Sequence, residues 1–162
     1  MIPDEATADL HAFFDRHHAE LARLAHLLTG GAEAADDLAA DALAGLGRHW
    51  EQVLRTGSML ARARGEVVRL ARARDRAAAL RPRRTVPAAG SGDVLAALRR
   101  LPFRRRACVV LRYAFDLPAA EAAQALGTAV GTVERRTAKG AAELQRQLGT
   151  RAADGLMGRR NR

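Results

Sequence analysis

The chain has 162 residues and a net charge of +9, with 48% hydrophobic but only 4% aromatic residues. Alanine and leucine, both strong helix formers, must therefore supply most of the packing, which predicts an all-α protein. A single cysteine, Cys108, excludes an internal disulfide and fits a reducing cytoplasm. Neither a signal peptide nor an apolar stretch of the roughly 18 to 20 residues that a bilayer requires is visible, so we expect a cytoplasmic protein without a membrane partner.

The charged residues are unevenly distributed along the chain. Residues 1–50 carry 3 basic and 9 acidic side chains, residues 51–86 carry 10 basic and 3 acidic, and residues 87–162 carry 14 basic and 6 acidic. An acidic first third followed by two basic segments predicts two kinds of partner, a basic protein for the first and a polyanion for the rest.

Three helices are predicted before the middle of the chain. Apolar residues at helical spacing predict a first helix that ends near Gly30 and Gly31, and a second over about residues 32–50. Ser58 is a candidate N-cap for the third, over about residues 59–80. The third helix carries four arginines on the face opposite its apolar residues: Arg62, Arg69, Arg72 and Arg76. Such a stripe is suited to a phosphate backbone, although a solvated helix face gives the same pattern.

Residues 81–92 read RPRRTVPAAGSG, with two prolines, two glycines and no apolar period. This composition predicts a flexible linker. It divides the chain into two small helical domains, residues 1–80 and residues 93–149. We expect residues 150–162 to form a flexible tail because glycine, arginine and polar residues dominate there.

The C-terminal domain contains the pattern of a helix-turn-helix. Pro118 is suited to a helix start, Gly127 allows the sharp turn, Thr128 can cap the next helix, and Val133 anchors that second helix. In this motif the second helix enters the major groove of DNA. Its exposed positions are the candidate DNA contacts Thr132, Glu134, Arg135, Arg136 and Lys139. The alternative is an ordinary helical hairpin.

Residues 93–136 read DVLAALRRLPFRRRACVVLRYAFDLPAAEAAQALGTAVGTVERR. This segment resembles the C-terminal domain of extracytoplasmic-function sigma factors of the sigma-70 family, where "LxxLPxRxRxVxxLRY" precedes "DLxxxEIAxxLGxxxGTVxxR". Residues 35–43 and the sequence Arg48-His49-Trp50 are similar, more weakly, to the family's "AEDLVQEALxRxW" helix. The resemblance covers both domains in the family's order.

The resemblance implies a DNA-binding subunit of RNA polymerase. Asp37, Asp41 and Trp50 match family positions that dock on the coiled coil of the polymerase's largest subunit, and the C-terminal domain is expected at its flap. The arginine stripe, Arg62 to Arg76, takes the place of the helices that bind and open the downstream promoter element. The helix-turn-helix would read the upstream element. An anti-sigma factor is a further expected partner.

One departure keeps two alternatives open. The family usually has aromatic residues in the melting segment, whereas this chain has none between Trp50 and Leu80, and stacking on aromatics contributes about 1–3 kcal/mol per captured base. A sigma-like adapter that does not melt DNA and a stand-alone helix-turn-helix regulator are therefore the competing hypotheses. The four histidines of the first helix lack completing ligands, and Cys108 lies in an apolar stretch. We expect no enzymatic activity, no metal and no cofactor.

Overall fold

The computed structural model describes residues 4–55, 57–81 and 94–157, and every regular element in these ranges is helical. The N-terminal half contains four helices: α1 (Asp4–Thr29), α2 (Ala32–Gly47), α3 (Trp50–Arg55) and α4 (Met59–Ala79). The C-terminal half contains α5 (Val94–Arg100), α6 (Phe103–Val109), a π-helical turn (Val110–Ala114), α7 (Ala119–Leu126) and α8 (Val130–Met157). The predicted all-α class is confirmed.

Most helix boundaries follow the sequence signals. The first helix ends before Gly30, whose φ of 78° lies in the left-handed region that favours glycine. The predicted second helix is divided, because the chain leaves α2 after Gly47 and begins α3 at Trp50. Ser58 occupies the N-cap position of α4 but makes no capping hydrogen bond through its side chain. The backbone of α8 begins two residues after Thr128, so the expected cap at that threonine lies outside the first turn.

Two predictions about chain organisation concern segments that the structure describes little or not at all. The linker predicted at residues 81–92 lies, apart from Arg81, outside the described residues. The tail differs from the expectation in one respect, since helical backbone resumes after Gly149 and runs to Met157. Gly149 itself has φ 67° and ψ 170°, which interrupts α8 where the C-terminal domain was expected to end.

The N-terminal half packs α1 against α2 and α4. Leu21, Leu24 and Leu28 recur along one face of α1 and are fully buried. They meet the apolar faces of α2 and α4, whose buried residues include Ala42, Val67 and Ala71. Small alanines at these positions allow close approach of the helices, which explains how a chain poor in aromatics fills a core.

The C-terminal half packs directly on the N-terminal half, and the buried apolar residues of both belong to one connected core. One close approach is between α4 and α7, where a Cβ added to Gly65 would lie 2.6 Å from the backbone oxygen of Ala125. Elsewhere, the Arg23 guanidinium of α1 stacks 5.1 Å from the centroid of the Phe115 ring. The proposed division into residues 1–80 and 93–149 thus corresponds to two halves in extensive contact.

Arg106 connects the two halves through a buried guanidinium that is only 4% exposed. It donates hydrogen bonds to the Leu28 carbonyl of α1 (2.7 Å) and to the Asp75 carboxylate of α4 (3.0 Å). It also donates to three carbonyls of its own half, those of Leu98, Arg99 and Leu101. A buried charge is tolerated only when it is hydrogen-bonded and paired, and two partners of Arg106 lie in the other half. Arg106 therefore stabilises the packing of the two halves against each other, which we call the closed arrangement.

Candidate nucleic-acid interface

The helix-turn-helix consists of α7, a short turn and the first turns of α8. Pro118 precedes α7, and Gly127 ends it in the left-handed region with φ 59° and ψ 39°. The Thr128 N–H then donates to the Ala123 carbonyl at 3.1 Å, which satisfies an end group of α7. Val133 and Ala122 are completely buried and fix the two helices against each other. The predicted turn at Leu126-Gly127-Thr128 is therefore present.

The N-terminal part of α8 carries the five side chains expected to contact DNA. Glu134, Arg135 and Lys139 are exposed, whereas Thr132 and Arg136 are half-buried. Arg135 lies on the solvent side and donates a long hydrogen bond of 3.3 Å to the Thr132 hydroxyl. Exposed arginine and lysine can contact phosphates or guanine edges, and glutamate can accept a hydrogen bond from cytosine. This face of α8 has the composition of a DNA-reading surface.

The arginine stripe of α4 is present but divided into two parts. Arg62 and Arg69 are exposed near the middle of the chain's N-terminal half, and Arg69 makes two hydrogen bonds, of 2.9 Å and 2.6 Å, to the Glu66 carboxylate. This bonding holds the pKa of Glu66 below its ordinary value. Arg72 and Arg76 lie further along α4, on the part that approaches the C-terminal half.

The structure brings together one arginine from each of the two predicted DNA-binding groups. Arg72 of α4 and Arg136 of α8 line the same cleft, together with Arg104 of α6. The pKa of Arg72 is lowered by its partial burial and by the positive charges of Arg104, Arg76 and Arg136. Sequence reasoning missed Arg104, because its role depends on how the two halves pack and no local pattern marks it.

The three residues expected to dock on polymerase have different environments. Asp37 and Asp41 are exposed one turn apart on α2, where they form an acidic surface free of α1 and α4. Trp50 is only 2% exposed, and its ring packs 5.6 Å from the ring of Phe13. The tryptophan side chain is thus a core residue in this arrangement, so it is the two aspartates that present a surface to a partner.

A groove between α1, α3 and the start of α4 was not anticipated from the sequence. Its volume is about 550 Å³, and its walls include Phe13, His17, Trp50 and Ser58. The buried Nε1 of Trp50 finds no hydrogen-bond partner among the described residues. The aromatic side chains of the groove come from α1 and from the first residue of α3. They therefore lie outside residues 51–79, the segment that contains no aromatic residue. The four-residue spacing of Phe13 and His17, whose rings lie 4.5 Å apart, was the available signal.

Three findings concern other kinds of site. The burial of Cys108 raises the pKa of its thiol, which makes it a poor nucleophile at neutral pH. Within the described ranges, no three histidine, cysteine or acidic side chains are grouped in a way that could hold a metal ion. The helices of those ranges are all too short or too polar to cross a bilayer.

The comparisons with known proteins agree with this geometry. Residues 91–144, which contain the helix-turn-helix, match the family described as Sigma-70, region 4. Residues 91–144 therefore form a domain of that family. The match covers α5 to α7 and most of α8, so the exposed α8 face described above is part of this region 4 domain. A search of curated protein sequences finds no match to this chain.

One solved structure extends the likeness to both halves. It is the co-crystal structure of the sigma factor RpoE in complex with the anti-sigma factor NepR from Bartonella quintana. The two chains are 22% identical, the match covers 88% of this chain and 98% of that chain, and the TM-score is 0.64. This likeness shows that the N-terminal half, which the region 4 match does not reach, shares a sigma-factor fold.

Proposed function

We propose that this chain binds core RNA polymerase and directs transcription initiation at specific promoters. The observation that carries the proposal is the region 4 helix-turn-helix with Glu134, Arg135 and Lys139 exposed on α8. A helix presented in this way enters the major groove, where its side chains read base edges and contact phosphates. The protein acts in this proposal as a cytoplasmic binding subunit without enzymatic activity of its own.

The acidic surface of α2 is the proposed polymerase contact of the N-terminal half. Asp37 and Asp41 point away from the core, and the first third of the chain is acidic overall. A negative surface attracts a basic partner and speeds its association. The resemblance to extracytoplasmic-function sigma factors suggests that this partner is the coiled coil of the largest subunit, with the C-terminal half at the flap.

The downstream promoter element is assigned to α4. Arg62 and Arg69 are exposed on α4 and supply positive charge for the phosphate backbone. The aromatic rings of Phe13 and Trp50 beside this helix are 8% and 2% exposed, so they do not offer a stacking surface for an unpaired base. Strand opening in this proposal therefore relies on the arginines of α4.

An anti-sigma factor is the proposed regulatory partner. The similar sigma factor RpoE was crystallised in complex with the anti-sigma factor NepR. The two structures share a fold over most of both chains, so the surfaces available to such a partner are comparable. An anti-sigma factor that covered the acidic surface of α2 or the exposed face of α8 would prevent transcription initiation.

Reconstitution with purified core polymerase tests the proposal. We expect co-elution of the protein with the core enzyme and new specific transcripts from a pool of genomic fragments. The double variant Asp37→Ala/Asp41→Ala should lose co-elution, while Glu121→Ala, which removes an exposed carboxylate from α7, should retain it. Co-elution without transcripts would favour the adapter that does not melt DNA. No co-elution would favour a stand-alone regulator.

A further inference from the structure

Four arginines from three helices lie in or beside one cleft between the two halves of the molecule. Arg72 and Arg76 lie on α4, Arg104 lies on α6 and Arg136 lies on α8. Arg72, Arg104 and Arg136 line a cleft of about 270 Å³ together with Phe103 and Thr128. Arg76 lies one helical turn after Arg72, and its positive charge contributes to lowering the pKa of Arg72. We call these four residues the cleft arginines.

The cleft arginines differ from four other arginines of the protein, which are paired with carboxylates. Elsewhere in the protein, arginine is paired with a carboxylate at four places: Arg64 with Glu20, Arg69 with Glu66, Arg105 with Glu143 and Arg106 with Asp75. Among the residues that the structure describes, no acidic side chain forms an ion pair with a cleft arginine. The positive charge at this position is therefore not compensated within the described parts of the chain.

Packing the two halves together concentrates this charge. The pKa of Arg72 is lowered first by burial and then by the charges of Arg104, Arg76 and Arg136, which belong to both halves. Like charges that approach in a partly desolvated cleft repel one another more strongly than they do in water. The closed arrangement thus carries an electrostatic cost that a bound anion would remove.

We propose that the cleft binds a small multivalent phosphate anion of the pyrophosphate type, either free or as part of a nucleotide. Guanidinium groups form paired hydrogen bonds with phosphate oxygens, and three arginines line this cleft. The cleft volume of about 270 Å³ lies just below the range of about 300–1,000 Å³ that is usual for pockets that bind larger ligands. Duplex DNA is too wide to enter the cleft. The Thr128 hydroxyl at the rim adds a neutral hydrogen-bonding group.

The anion stabilises the closed arrangement because its ligands come from both halves. A ligand that binds only the closed form shifts the equilibrium toward that form in proportion to its concentration. Arg136 lies on the helix that reads DNA, so an occupied cleft also competes with DNA for this side chain. Only this last consequence rests on the proposed function; the binding site itself does not.

Isothermal titration calorimetry of the full-length protein, without DNA or polymerase, tests the site. The probes are pyrophosphate, ATP, adenosine and sodium chloride at matched ionic strength. We expect saturable binding of the first two and none of adenosine or chloride. Equal affinity for pyrophosphate and ATP would show that the phosphates suffice, and tighter ATP binding would identify a nucleotide. Absence of saturable binding by both would overturn the proposal.

Two variants locate the binding. Arg72→Gln/Arg104→Gln should weaken pyrophosphate binding by at least about tenfold, or roughly 1.4 kcal/mol, because two of the three arginines that line the cleft are lost. The control Arg55→Gln/Arg146→Gln makes the same charge change at two exposed arginines remote in sequence from the cleft residues and should bind as the wild type does. Equal weakening in both double variants would reduce the effect to net charge and contradict the proposal.

A third variant leaves every arginine in place. Gly65→Ala puts a Cβ 2.6 Å from the backbone oxygen of Ala125, so α4 and α7 must separate while α4 itself gains helix propensity. We expect weakened binding in a protein whose helical circular dichroism is retained. Wild-type affinity in this variant would show that the site does not require both halves, and would overturn the bridging role.

Discussion

Two groups of arginines in this protein differ in what surrounds them. Arg64, Arg69, Arg105 and Arg106 each form an ion pair with a carboxylate, and Arg106 is buried as well. Arg72, Arg104 and Arg136 line a cleft in which their neighbours are other arginines. Three members of the first group connect different helices, and Arg69 is paired within α4. The second group has no carboxylate partner among the described residues, and we propose that a bound anion neutralises its charge.

The number of arginines on a helix therefore does not by itself indicate a nucleic-acid surface. The stripe on α4 contains members of both groups, since Arg69 is bonded to Glu66 and Arg72 faces the cleft. Their sequence positions share one helix face, and only the neighbours contributed by other elements separate their roles. Substitutions within the two groups are therefore expected to differ in their effects on stability.

Arg106→Met should lower the free energy of unfolding by about 3–5 kcal/mol, because it leaves four carbonyls and the Asp75 carboxylate without their donor. Urea denaturation followed by circular dichroism measures the loss. Arg105→Met is the matched control: it removes the half-exposed pair with Glu143 and should cost no more than about 1 kcal/mol. Equal effects of the two substitutions would contradict the assigned role of Arg106.

The same substitution should have opposite signs in the two groups. Arg64→Gln breaks a partly buried pair with Glu20 and should destabilise the protein by roughly 1 kcal/mol. Arg72→Gln removes repulsion from Arg76, one turn away, and should stabilise it by about 0.2–0.5 kcal/mol, with further relief from Arg104 and Arg136. The free energy of unfolding of each variant is measured by urea denaturation at low salt without phosphate. Destabilisation by Arg72→Gln would remove the distinction between the groups.

The Glu66–Arg69 pair predicts a small effect that depends on pH. Arg69 holds the pKa of Glu66 below its ordinary value of 4.5, chiefly by hydrogen bonding. The resulting stabilisation is therefore fully present above that ordinary value and is lost as pH falls through the lowered folded-state pKa. Glu66→Gln should cost about 0.2–0.5 kcal/mol at neutral pH and progressively less in acid. A cost that does not decline in acid would show that the carboxylate charge is not its source.

The helix-turn-helix was predictable in detail because its determinants are local. Pro118 and Gly127 mark the ends of α7, and the buried Val133 fixes α8 within a few residues of them. The ends of α1 and α4 were likewise predicted by Gly30 and by the apolar spacing. Each of these features depends on neighbours less than about two turns away, which is the range in which backbone propensity acts.

The contact between the halves was not predictable, because it depends on residues distant in sequence. Gly65 reads as a weak point in α4, yet it lies where the backbone of Ala125 passes close by. Trp50 reads as a docking residue, yet Phe13 covers it. Arg136 was predicted to contact DNA and Arg104 was assigned no role, yet the packing brings both beside Arg72. No single-helix pattern distinguishes an exposed side chain from one that another domain half covers.

Site-specific cross-linking tests most directly whether the exposed face of α8 reads promoter DNA. A photoreactive residue replaces Arg135, which is exposed on that face, or Arg146, which is exposed on a later turn of the same helix. Each protein is assembled with core polymerase on a promoter obtained by reconstitution. We expect cross-links from position 135 to the upstream element, lost at high salt, and few from position 146. Equal cross-linking from both positions, or none from position 135, would contradict it.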